Sequence, residues 1–179
     1  MKNLRYILLI FVLTFFLAIL VSLISRSLLS FLNLPLAALL LLVVISLGIL
    51  FDMIGVAVAA ADLPPFTARA AKKVFGARKA LYLVKNADRV ANFCNDIVGD
   101  IFGTLSGAMG AIIVLRIINT WNDFPLSRTL LDLVVVALIA SLTVGGKALG
   151  KIIGLAQANQ IIFFCGRLLA WLERGKTKG

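Results

Sequence analysis

The sequence predicts an all-α integral membrane protein: four transmembrane helices, amphipathic juxtamembrane helices and glycine-rich helix packing. Three observations predict it. Hydrophobic residues make up 61% of the 179 residues and the mean hydropathy is +1.07, whereas a soluble domain is about half apolar. The apolar residues gather into four runs of bilayer length, roughly 20 residues at ~1.5 Å each. The basic residues, which give a net charge of +10, fall in segments that flank those runs, as in loops facing anionic lipid. No basic-aromatic surface or nucleic-acid motif accompanies the charge, so the expected partner is the lipid bilayer and not nucleic acid.

The first run covers residues 6–25 and follows Lys2 and Arg5. A signal peptide would have a shorter apolar stretch, about 7–15 residues, and a small-residue cleavage site. A retained helix with a cytoplasmic N-terminus is therefore expected. Residues 26–33 connect it to a second run, 35–61, which Pro35 can open at its first turn and which holds Asp52. Asp62-Leu63-Pro64-Pro65 stops that helix and starts another. In residues 66–89, Val74, Ala77, Leu81 and Val84 recur at three- and four-residue spacing among seven basic residues. That spacing predicts an amphipathic helix on the inner membrane surface, with a break at Gly76.

A third crossing is expected over 92–115, with Asn95, Asp96 and Asp100 at its cytoplasmic end. Residues 116–128, with Trp121 and Pro125, form an outer loop. A fourth crossing begins at 129–143, with Lys147 and Lys151 marking its inner end. Residues 157–172 are a second interfacial helix, anchored by Trp171. Of the 18 basic residues, all but Arg26, Arg116 and Arg128 then lie inside, as the positive-inside rule requires for a multi-pass protein with both termini cytoplasmic. Gly99, Gly103 and Gly107, and Gly146, Gly150 and Gly154, repeat every four residues, a spacing that lets helices approach closely.

Histidine is absent, which removes the commonest acid-base group and metal ligand. No CxxC, HExxH, GxSxG or phosphate-cradling motif is present, so an enzyme is not expected. Cys94 and Cys165 read as reduced, small, buried side chains. The acids are the costly feature, because a carboxylate within a lipid-length helix marks a pathway or a site. Asp52 is the deepest and has no basic neighbour in its own run. Asp96 and Asp100 share a helix face. Oxygen-rich clusters of this kind suit a hard cation such as Mg²⁺. The bland alternatives are that Asn95 and Asp96 cap a helix and that Asp100 pairs with a basic side chain.

Residues from about 35 to 173 resemble the transmembrane domain of the CNNM/CorC family, proteins associated with Mg²⁺ transport. Leu50-Phe51-Asp52-Met53-Ile54-Gly55-Val56-Ala57 lies over that family's F-F-S-G-S-E-T-A. Asn86-Ala87-Asp88-Arg89 followed by Asn95-Asp96 is similar to its D-R-L followed by G-N-N. Gly146-Lys147-Ala148-Leu149-Gly150-Lys151 lies over G-E-I-L-P-K. The family's glutamates fall on Gly55 and Lys147, and the CBS-pair module that follows in most members has no counterpart in these residues.

The resemblance implies a homodimer. It also divides the chain into an additional N-terminal helix and connector, 1–34, and a CNNM/CorC-like domain, 35–179, with cytoplasmic amphipathic segments at 62–91 and 150–174. Together with the shared depth of the acids, it gives the expected function: binding and transport of a divalent cation, Mg²⁺, by Asp52, Asn95, Asp96 and Asp100 with Ser141 and Thr143. The competing expectation is a non-conducting scaffold or regulator of another membrane protein, derived from the same fold.

Overall fold

The computed structural model describes the backbone of residues 2–120 and 128–176, with side chains at 8, 10–120 and 129–174. Every regular element among them is helical: α1 (Lys2–Phe31), α2 (Leu34–Ala60), α3 (Leu63–Ala71), α4 (Ala77–Lys85), α5 (Ala87–Asn92), a π-helix (Phe93–Gly99), α6 (Asp100–Thr120), α7 (Arg128–Ala156) and α8 (Ala158–Lys176). Four helices are long and apolar enough to cross a membrane, at Ile10–Phe31, Leu34–Ala60, Ala87–Thr120 and Thr129–Ala156. Large apolar side chains such as Phe11, Phe16, Leu23 and Phe31 stand exposed on them, more apolar surface than a soluble monomer presents to water. Trp121, Pro125 and Lys178 lie outside the described residues.

Several boundaries differ from the sequence expectation. The first helix runs on to Phe31, because Ser25 to Phe31 contains no glycine or proline, and the connector shrinks to Leu32 and Asn33. Asn33 then caps α2, its Oδ1 accepting the Leu36 N–H at 3.2 Å. The segment expected over 66–89 with a break at Gly76 comprises α3, α4 and the start of α5, and the break extends over residues 72–76. The third crossing begins earlier, at Ala87, and contains the π turn. The fourth continues to Ala156, so Lys147 and Lys151 are inside a helix and do not mark its end.

The chain divides into two compact units. One comprises Met1–Ile49 and Ile97–Gly146, the other Leu50–Asp96 and Lys147–Gly179. In the first, Leu29, Leu41, Ile45, Met109, Ile113 and Ile139 form the centre of an apolar core. Gly110 closes onto Ile139 and Gly146 onto Ile49, whereas Gly103 and Gly107 have no neighbour within 4 Å of where a Cβ would lie. Arg116, expected in an outer loop, lies in the last turns of α6. Its guanidinium donates to the carbonyls of Leu32, at 2.9 Å, and Leu29. A fixed cation thus satisfies carbonyls at the C-terminus of α1, which have no intrahelical donor.

The second unit packs α4 along α8 around Ala57, Val58, Phe66, Ala80, Ala158 and Ile162. The contact is close: a Cβ on Gly166 would stand 2.6 Å from both the backbone nitrogen and the Cβ of Ala80. Ala77 and Ala80 are buried while Arg78 and Lys85 remain exposed. Lys79 pairs with Glu173, Arg69 lies 4.5 Å from the centre of the Phe163 ring and Arg174 lies 4.7 Å from that of Phe75. The Asp62 N–H donates to Asn159 Oδ1 at 2.9 Å and Asn159 Nδ2 returns a bond to Asp62 Oδ2 at 3.2 Å, fixing the start of α3 on α8.

Candidate functional site

Asp52 and Gly55, one turn apart on α2, are met by Lys147 and by Asn95 respectively, and all four belong to the second unit. Asp52 is on α2, deep in a span with a mean hydropathy of 2.9, and is only 5% exposed. A charged carboxylate there needs a counter-charge, and Lys147 of α7 supplies one. Its Nζ lies 3.8 Å from Asp52 Oδ1, beyond hydrogen-bonding distance but close enough for strong Coulombic attraction away from water. Lys147 keeps about a fifth of its side chain accessible, 22% against 7% for Asp52.

Asn95 belongs to the π-helix. One turn past Asp52 along α2 lies Gly55, and there the side chain of Asn95 fits. A Cβ at Gly55 would lie 2.0 Å from Asn95 Oδ1, so a larger residue there would turn the Asn95 side chain out of this position. The wider π turn, Phe93–Gly99, sets the register that carries Asn95 to this place. Such turns are rare and frequently occur at functional positions. Two buried oxygens, Asp52 Oδ2 and Asn95 Oδ1, accept no hydrogen bond from the protein. Orphaned buried acceptors cost free energy, and both are of the type that a hard cation recruits.

The other expected ligands are distributed differently. Asp96 belongs to the same unit and is exposed on the π-helix. Asp100, Ser141 and Thr143 belong to the first unit. Ser141 donates to the Leu138 carbonyl at 2.9 Å and Thr143 to the Ile139 carbonyl at 2.8 Å, and Thr104 donates to the Asp100 carbonyl at 2.9 Å. Each hydroxyl is thus turned onto its own helix. Among the described residues no group of three or more His, Cys, Asp or Glu is placed to hold a metal ion.

Sequence reading missed Lys147 as a member of the site. It treated that lysine as an interfacial marker, and nothing local reveals a partner so far away in the chain. A signal was nevertheless available, since a lysine within a run that remains helical and apolar to Ala156 needs an acid. Comparison with known proteins finds no matching family model, no matching curated protein and no matching solved structure.

Proposed function

We propose that this chain is a multi-pass membrane protein that binds a divalent cation at Asp52 and Asn95 and carries it across the bilayer. The cation best suited to the two oxygens is Mg²⁺, which binds through one or two carboxylates and retains several of its waters. The observation that carries the reading is the pair of buried acceptors, Asp52 Oδ2 and Asn95 Oδ1, with no hydrogen-bond donor from the protein. Lys147 is the resident counter-ion. Its ammonium neutralises Asp52 until the arriving cation displaces it toward the accessible side, and its return favours release.

The resemblance to the CNNM/CorC family supports the same reading, because positions from all three quoted stretches converge here: Asp52 and Gly55, Asn95, and Lys147. On that reading the functional unit is a homodimer with both termini cytoplasmic, as the distribution of basic residues favours. One observation favours a second reading, a non-conducting scaffold. A lysine already paired with Asp52 makes the site self-neutral, and a positive charge beside a cation site weakens cation binding.

Unfolding of the detergent-purified protein across a Mg²⁺ titration tests the proposal, with Ca²⁺ as comparison and Asp52→Asn alongside. A ligand that binds the native state raises its apparent stability by mass action, by about 2.7 kcal/mol at a hundred times Kd. The expected result is a saturable, Mg²⁺-selective rise that is lost in Asp52→Asn. No rise at millimolar Mg²⁺ would favour the scaffold.

A further inference from the structure

Beside α2, on residues that flank Asp52 in sequence, the second unit contains a cavity of about 510 Å³, within the usual size of a small-molecule site. Phe51, Ile54, Leu83, Val90, Cys165 and Leu168 give it apolar walls, and Asn86 and Arg89 lie at its polar edge. An open polar groove on the surface turn of residues 84–89 adjoins it, formed by Lys85, Asp88 and the same Asn86 and Arg89 with the small or partly exposed Val84 and Ala87. Asn86 and Arg89 are therefore shared by the apolar cavity and a polar surface groove.

Arg89 is exposed near the start of the Ala87–Thr120 span, and no carboxylate pairs with it among the described residues. Asn86 directs one amide hydrogen to the Tyr82 carbonyl at 2.9 Å, which fixes the helical turn between the cavity and the groove. The chemistry required of an occupant is thus a long apolar body joined to an anionic head. A planar guanidinium is the side chain best suited to phosphate, and Lys85 adds a second cation while Asp88 subtracts one.

We propose that this apolar cavity with its polar surface edge binds one anionic phospholipid of the bilayer. An acyl chain fills the apolar chamber between α2, α4, α5 and α8, and the phosphate rests on Arg89 and Lys85. The proposal does not depend on Asp52 or on cation binding.

The test uses native mass spectrometry and unfolding of the full-length protein in mild detergent, with phosphatidylglycerol or phosphatidylcholine of matched chains added. Wild type is expected to retain about one phosphatidylglycerol per chain and to prefer it over phosphatidylcholine. Arg89→Gln is expected to lower that preference about fivefold, the effect of one cation near anionic lipid, while Arg78→Gln, a basic residue outside the cavity and the groove, leaves it unchanged. Cys165→Trp, which fills the apolar chamber, is expected to abolish retention of either lipid. If that variant fails to fold, Leu168→Phe is the milder filling change and is expected to weaken retention. Equal loss of preference in Arg78→Gln and Arg89→Gln would overturn the proposal, because the attraction would then be diffuse. Equal retention of both lipids by wild type, or full retention in a folded cavity-filling variant, would also overturn it.

Discussion

Lys147→Met is expected to cost about 3–5 kcal/mol in chemical unfolding, the usual penalty for removing one partner of a buried ion pair. The charge left behind is Asp52, 7% exposed at its side chain and previously 3.8 Å from the ammonium. The double variant Asp52→Leu with Lys147→Met is expected to regain most of the loss, because well-packed apolar replacements of a buried pair are often neutral or stabilising. The coupling between the two single changes is read directly from the cycle. Additive single effects would show that the pair does not interact energetically. The same variant separates the two functional readings. If Asp52 is a cation ligand, Mg²⁺ replaces the missing ammonium and stabilises Lys147→Met more than it stabilises wild type. If the pair is a scaffold element, Mg²⁺ leaves the variant's deficit unchanged.

Gly76→Ala is the second large effect. Gly76 precedes α4 with φ +81°, in the left-handed region that costs a residue with a Cβ about 1–2 kcal/mol. A Cβ there would also lie 2.6 Å from the Cα and 2.7 Å from the nitrogen of Arg167. Both are backbone atoms, so α8 itself must move, and overpacking of that kind adds about 1–3 kcal/mol. The sum, roughly 2–5 kcal/mol, is expected in chemical unfolding. Lys73→Gly, four residues before the start of α4 and itself at φ 53°, is expected to change stability in the opposite direction or hardly at all, since glycine relieves the strain but loosens the unfolded chain. Equal destabilisation by both would show that this turn tolerates no change and that the Gly76 contact is not specific.

Hydropathy alone made the four spans legible, because length and apolarity set by the bilayer dominate every local preference in them. It also singled out Asp52 and placed the break near Gly76. Long-range partners were not legible. Lys147 resembled an interfacial anchor because its counter-charge is on another helix. Arg116 resembled an outer-loop cation because the carbonyls it satisfies belong to α1. The basic segment read as an amphipathic surface helix, and the partner of its apolar face, α8 through Gly166 against Ala80, was not legible. Glycine spacing was a partial guide. Gly103 and Gly107 sit on one four-residue ladder and meet nothing within 4 Å, whereas Gly146 and Gly154 of the other close on Ile49 and on the Met53 carbonyl, and Gly55, Gly76 and Gly166, which belong to no ladder, make equally close approaches. Periodicity shows which residues share a face, and only the fold shows what that face meets. The π turn had no sequence signature, although it sets the register of Asn95 beside Gly55.

The most direct test of Asp52 as a cation ligand in transport is Mg²⁺ uptake into sealed proteoliposomes that contain a Mg²⁺ indicator, with wild type and Asp52→Asn reconstituted at equal density. The expected result is uptake that saturates with external Mg²⁺ in wild type and falls to the protein-free rate in the variant. Wild-type uptake no faster than in protein-free liposomes, or an Asp52→Asn rate equal to wild type, would contradict it.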